Sequence, residues 1–213
     1  MITPRECADY FHNHTSWRTS GDDTQWFIER KEDGEVVLVF KESDSHKDWK
    51  NNFRFWARPY KNMKTTFFVH SGFLKCWKLI NDEVIAAVRE LNPTSITVTG
   101  WSYGGAMATL AYEDIYFNFP ELRDKRQMIT FGAPRVVSIW NFRKIKERWN
   151  NSYRFINGAD IVTCVPLRIM AFRHVCKPIH IGDLRLPHRF FNAAKYHDIS
   201  GYKSSLDKII GNK

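Results

Sequence analysis

The segment Gly100-Trp101-Ser102-Tyr103-Gly104-Gly105 sets a serine between glycines in the spacing G-x-S-x-G. Residues 95–99 before it are β-branched and short, and residues 104–118 after it open on small side chains and read as a helix. A serine on a sharp strand-to-helix turn lifts its hydroxyl above the sheet edge, and flanking glycines leave room where side chains would collide. Gly105, Ala106 and Ala108 would let the helix pack close to the strand. A serine is a weak nucleophile, so it needs a base within hydrogen-bond reach and an acid that orients the base. Downstream acids in suitable settings are Asp160, Asp183 and Asp198, and the downstream histidines are His174, His180, His188 and His197. Asp160 follows a strand candidate in Asn157-Gly158-Ala159-Asp160, and α/β sites lie at strand ends. His180 sits inside a strand pattern and His188 follows Pro187, whereas position leaves His174 and His197 both open as the base.

These residues need a scaffold. Residues 25–30 and 35–40 are rich in β formers and flank Glu32-Asp33-Gly34, which predicts a hairpin. Residues 65–69 form another strand candidate. Phe73, Trp77, Ile80, Val84, Val88 and Leu91 recur at helical spacing opposite Lys75, Lys78, Asp82, Glu83, Arg89 and Glu90, and Asn92-Pro93 stops that helix. A strand is expected over 127–131 and a helix over 137–149, where Ile139, Phe142, Ile145 and Trp149 form an apolar stripe. Residues 153–156, 161–165 and parts of 172–181 are strand candidates, and 196–210 could close the chain as a helix. Alternating strands and helices without a Pro/Gly/Ser-rich linker predict an α/β architecture in a single domain over 1–213.

The 213 residues carry a net charge of +9, with 43% hydrophobic and 26% charged residues. That balance excludes a wholly disordered, collagenous or coiled-coil chain. The basic excess admits nucleic acid, an anionic lipid surface or an acidic substrate as partner. Nucleic acid is not expected, because no zinc, RNP or helix-turn-helix pattern accompanies the charge. No apolar run reaches the roughly 18 residues of a membrane helix, and the opening MITPRECADYFHNH lacks the layout of a secretion signal. The default expectation is therefore a cytoplasmic chain with reduced thiols. Cys7, Cys76, Cys164 and Cys176 match no zinc spacing, so no metal site is expected.

Seven motifs lie in register over roughly residues 25 to 205. Val37-Leu38-Val39-Phe40-Lys41-Glu42-Ser43-Asp44-Ser45 is similar to an apolar strand ending in F-R-G-T/S-x-S. Asp48-Trp49-Lys50-Asn51-Asn52-Phe53 resembles D-W-x-x-N-L, and Val69-His70-Ser71-Gly72-Phe73 resembles V-H-x-G-F. The serine turn resembles G-H-S-L-G-G, and Phe131-Gly132-Ala133-Pro134-Arg135-Val136 resembles F-G-x-P-R-V. The stretch 157–166 resembles N-x-x-D-x-V-x-x-x-P, and 197–202 resembles a late H-x-x-x-x-Y. Together these motifs resemble those of the class 3 lipase family, the fungal-lipase-like branch of the α/β hydrolases.

The resemblance implies an α/β-hydrolase fold with a mostly parallel central sheet flanked by helices. It implies a lipase hydrolysing acylglycerols or related lipid esters, with no cofactor. A short-chain esterase or phospholipase with the same residues is the nearer alternative, and a non-enzymatic binding protein of the same fold the more distant one. It assigns Ser102, Asp160 and His197 as nucleophile, acid and base, and Ser43 with the backbone N–H of Tyr103 as the oxyanion hole. Trp101 and Tyr103 replace histidine and leucine, changes expected to be tolerated because only their backbone is needed. Glu42 replaces a glycine and Lys41 an arginine beside the oxyanion residue. The family's lid corresponds to residues 45–60, where Trp49, Phe53, Trp56 and Tyr60 fall on one face if the segment is helical. With Lys50, Arg54 and Arg58 they suggest peripheral contact with an anionic lipid surface.

Overall fold

The structure is a computed structural model that describes residues 1–21, 23–41, 56–62, 65–140, 145–146, 148–183 and 196–211. In chain order the first elements are α1 (Pro4–Asn13), β1 (Arg18–Ser20), β2 (Thr24–Arg30), β3 (Glu35–Phe40), β4 (Ala57–Asn62) and β5 (Thr65–His70). Then come α2 (Ser71–Leu91), β6 (Ser95–Trp101), α3 (Tyr103–Asn118), β7 (Arg126–Phe131), β8 (Val137–Ser138) and β9 (Ser152–Asn157). The chain closes with β10 (Phe172–Arg173), β11 (Lys177–Ile181) and α4 (Ile199–Gly211).

Seven strands pair in the order β1-β2-β3-β6-β7-β9-β11. The β2–β3 hairpin is antiparallel, and from β3 through β6, β7 and β9 to β11 every pairing is parallel. All six residues of β3 and of β7 are buried, as expected of parallel strands covered on both faces. One layer packs α2 and α3 on the sheet through Trp77, Val84, Val88, Met107 and Leu110. The other covers it with α1 and α4 through Cys7, Phe131, Phe155 and Tyr202. This is the α/β layering that the alternating pattern predicts. Helix α1 was not anticipated, although Thr3-Pro4-Arg5-Glu6 carries the signal. Thr3 accepts from the Glu6 N–H, and Glu6 reaches back to the Thr3 N–H at 2.7 Å.

Three local expectations are corrected. A second, four-stranded sheet runs β10-β8-β5-β4. Val137 and Ser138, expected to begin a helix over 137–149, instead pair in it with Val69, Phe172 and Arg173. Ile145 and Trp149 of the apolar stripe are buried but Ile139 is half exposed, so the stripe does not line one helix face. Residues 161–164, expected to be extended, form a 3-10 turn. Asp160 starts it by accepting from the Val162 N–H at 2.9 Å, and the Thr163 hydroxyl donates to the Asp160 carbonyl at 2.8 Å. Such side-chain bonds compete with a sheet ladder. The amphipathic helix over 45–60 fails at its far end, where Ala57–Asn62 is β4. Trp56 is 76% exposed while Tyr60 is 5% exposed, so they share no face. Trp49 and Phe53 lie outside the described residues.

A buried polar cluster fixes the second sheet to the first layer. Asp114 of α3 accepts from the Trp77 indole of α2 at 2.8 Å and from the Tyr60 hydroxyl of β4. Burial raises the Asp114 carboxyl to about 6, outweighing the two donors that favour its ionised form. Between about pH 4 and 6 the folded chain holds a proton that the unfolded chain has lost. This contribution to stability is full below pH 4 and is lost as pH rises through 6. Urea denaturation across that interval should show wild type losing about 3 kcal/mol relative to Asp114→Asn.

Candidate active site

The serine turn is strained. Ser102 adopts φ 55 and ψ −123 between β6 and α3. A non-glycine residue held there costs on the order of 1–3 kcal/mol and persists only when its surroundings overdetermine it. They do: the Ser102 N–H donates to the Phe131 carbonyl at 2.9 Å, and the Gly105 N–H donates to the Ser102 carbonyl at 3.0 Å. Gly104 shows why this turn has glycine after the serine. A Cβ there would sit 2.0 Å from the Phe40 carbonyl oxygen, so α3 could not approach β3 as it does.

The structure brings Ser102, His197 and Asp160 together. Ser102 Oγ lies 2.6 Å from His197 Nε2, and His197 Nδ1 lies 2.9 and 3.1 Å from the two oxygens of Asp160. With Nδ1–H donating to the carboxylate, Nε2 is free to accept the serine proton, the tautomer this network selects. All three side chains are buried. His174, left open by position, is not at the serine: its Nε2 donates to the Thr163 carbonyl at 2.8 Å. Burial, reinforced by neighbouring arginines, lowers it to about 3 and keeps it neutral. His180 is exposed on β11, and His188 lies outside the described residues.

Each partner is held by residues whose roles spacing alone did not reveal. Asp160 accepts from His197, the Val162 N–H and the Tyr202 hydroxyl. Burial and the Asp160 charge hold the Tyr202 phenol well above its ordinary value, so it remains a donor. Arg135 clamps the loop after Asp160 by donating to the carbonyls of Cys164 and Pro166. Asn157 donates to the Tyr196 carbonyl at 3.2 Å and accepts from Ser205 at 2.8 Å, fixing both sides of His197. His70 caps α2, its Nδ1 accepting from Gly72 and Phe73 at 3.2 and 3.4 Å. Burial lowers that imidazole to about 4, so it stays the neutral acceptor a cap needs.

The expectation that Trp101 and Tyr103 serve only through their backbone is corrected. The Trp101 indole donates to the His197 carbonyl at 3.1 Å, and the Tyr103 hydroxyl lies 2.9 Å from Thr24 Oγ1. Tyr103 is also the first residue of α3, where backbone N–H groups face outward along a favourable helix dipole. Ser43 and Glu42 lie outside the described residues. Lys41 stands over the Trp17 ring, 5.6 Å from its centroid. Among the described residues no group of three or more His, Cys, Asp or Glu could hold a metal ion, and no helix is long and apolar enough to cross a membrane.

Two substitutions test this scaffolding. Gly132 has φ +57, and a Cβ there would lie 2.8 Å from Asp160 Oδ2 and 2.9 Å from His197 Cε1. Gly132→Ala should slow the reaction of Ser102 with a serine-directed phosphonate by about 100-fold, the effect of roughly 1 Å of misplacement, in a chain that still folds. Tyr202→Phe should lower stability to urea by about 1–3 kcal/mol, because Asp160 loses a buried donor.

Comparison with known proteins places this geometry in a family. The model of the family described as Lipase (class 3) matches residues 37–170. The chain is 30% identical over 145 residues to secreted mono- and diacylglycerol lipase 1 of Fusarium solani, covering 66% of this chain and 42% of that protein. It is 30% identical over 166 residues to a lipase of Rhizopus oryzae, covering 75% of this chain and 42% of that one. The chain thus spans about two-fifths of the length of these relatives. Among solved structures, lipase II from Rhizopus niveus matches with TM-score 0.69 and 26% identity, over 79% of this chain and 65% of that one. A propeptide complex of Rhizomucor miehei lipase, a deletion mutant, matches with TM-score 0.70 and 25% identity, over 79% of this chain and 55% of that one. A match across more than half of the sequence, carried on the α/β-hydrolase fold of the fungal lipases, makes this chain a member of the class 3 lipase family.

Proposed function

We propose that this chain is a serine carboxylic ester hydrolase acting on acylglycerols or related lipid esters, with all 213 residues in one hydrolase domain. The observation that carries the proposal is the continuous hydrogen-bonded line from Ser102 Oγ through the His197 imidazole to Asp160, with links of 2.6 and 2.9 Å. Ser102 attacks the ester carbonyl while His197 Nε2 takes its proton. Asp160 holds the Nδ1–H and stabilises the imidazolium. The tetrahedral oxyanion accepts from the Tyr103 N–H at the start of α3, and Ser43 supplies the second donor. One such donor is worth about 2.7–4 kcal/mol. His197 then protonates the leaving alcohol. Water repeats the cycle on the acyl-enzyme, with His197 as base, and frees the carboxylic acid. The likeness to a mono- and diacylglycerol lipase supports a glycerol ester as substrate.

Contact with an anionic lipid surface is the second part of the proposal. Trp56 and Trp140 are 76% and 61% exposed, and Phe68 lies beside Trp140 with ring centroids 6.5 Å apart. Arg58 and Lys61 are exposed on β4, the strand that follows Trp56. Exposed tryptophans beside cations suit the boundary between headgroups and acyl chains.

Hydrolysis of p-nitrophenyl esters of increasing acyl length tests the activity. Ser102→Ala should lower turnover by about four to six orders of magnitude, and Asp160→Asn by about four, because it favours the wrong imidazole tautomer. A folded chain inactive on every ester would favour a binding protein of the same fold. On mixed vesicles, activity should rise with anionic lipid content, and Trp140→Ala should blunt that rise. Indifference to surface charge would remove the interfacial part of the proposal.

A further inference from the structure

A group of cations stands beside the loop that carries Asp160, and among the described residues no carboxylate forms an ion pair with it. Arg154 of β9 lies opposite Thr130 on one side and Pro178 on the other. Cross-strand neighbours share a face, so neither neighbour offers it a carboxylate. Arg154 Nε and Thr130 Oγ1 are both buried without a hydrogen-bond partner. Arg135 reaches the same loop through the Pro166 carbonyl, at 2.7 Å. Arg173 donates to the Arg168 carbonyl, also at 2.7 Å, and Arg168 itself is exposed. His174 closes the group through the Thr163 carbonyl.

Arg135, Arg173 and His174 meet backbone carbonyls. Among the described residues none of the four arginines pairs with a carboxylate. Burial is the larger cause that lowers the Arg135 and Arg154 guanidiniums, and repulsion from Arg168 lowers both further. Half-buried cations that repel one another are held at a cost that a bound anion would remove. Guanidinium groups present paired N–H donors suited to tetrahedral oxyanions.

We propose that Arg154, Arg168 and Arg173 form a binding site for a single phosphate group, from a phospholipid headgroup or as free phosphate, next to the Asp160 loop. The headgroup source rests on the ester-hydrolase reading, since it makes the ligand part of the substrate, whereas phosphate binding itself does not. Leu167 and Ile169 flank Arg168 and are 54% and 90% exposed, which places apolar surface beside the outermost cation and favours the headgroup.

Isothermal calorimetry with inorganic phosphate at constant ionic strength tests the site on the full chain. Wild type should bind saturably. Arg154→Gln and Arg168→Gln should each weaken binding about tenfold, the loss of one charge-assisted hydrogen bond, and Arg154→Lys should retain most of it. Where Arg154→Gln disturbs folding, Arg168→Gln on the exposed turn carries the comparison. No saturable binding, or binding unchanged in Arg168→Gln and Arg154→Gln, overturns the proposal. The source is read from hydrolysis of phosphatidylglycerol vesicles and of soluble p-nitrophenyl butyrate. Phosphate that inhibits only the first supports a headgroup site, and phosphate that alters both equally supports free phosphate as the ligand. Saturable phosphate binding in a chain that hydrolyses no ester supports the anion site and contradicts the ester-hydrolase reading alone.

Discussion

The reversal of the chain at Ser102 is the constraint on which the site depends. A residue at φ 55 and ψ −123 is unfavourable by itself, and the parallel pairing of β6 with β3 and β7 holds it there. The carbonyl of Phe131, at the end of β7, receives the Ser102 N–H. Close approach of α3 to β3 at Gly104 then sets the helix N-terminus beside Ser102, where the proposed oxyanion would form. Buried strands thus do two things at once: they form the core, and they hold one serine in a conformation it would otherwise leave.

The other two groups come from the loop after β9 and the segment before α4, and polar clamps position them. Arg135 fixes the loop after β9, Asn157 ties that loop to the segment before α4, and Trp101 ties the His197 backbone to the serine turn. Each clamp is a side chain satisfying a backbone carbonyl, so the loops are held without regular secondary structure. Tyr202 adds a fourth link by donating to Asp160 from α4, which couples the closing helix to the carboxylate. Arg154 Nε and Thr130 Oγ1 depart from this pattern, being buried without a hydrogen-bond partner.

Much of the scaffold was legible because it rests on local rules. The β-branched runs of β3, β6 and β7 and the periodic face of α2 follow from burial on two faces or on one. The serine turn was legible because steric exclusion demands glycine at fixed offsets. Which histidine meets Ser102 was not legible from spacing: His174 and His197 both follow Asp160, and only tertiary closure across 95 positions brings His197 there. The stripe over 137–149 misled because apolar residues at helical spacing also arise where a short strand, here paired on both sides, gives way to a turn. Residues 161–164 misled because the Asp160 side chain captures the backbone that would otherwise extend. The roles of Trp101 and Tyr103 were hidden for a similar reason, since a resemblance describes what a family needs at a position and not what this chain has added there.

The central claim is that Ser102, His197 and the N-terminus of α3 are already arranged for acyl transfer. A crystal structure of the chain after reaction with a p-nitrophenyl alkylphosphonate tests it most directly. The account predicts phosphorus bonded to Ser102 Oγ, the phosphoryl oxygen accepting from the Tyr103 N–H, and His197 still between Ser102 and Asp160. Phosphorus on another serine, or a phosphoryl oxygen turned away from the start of α3, would contradict it.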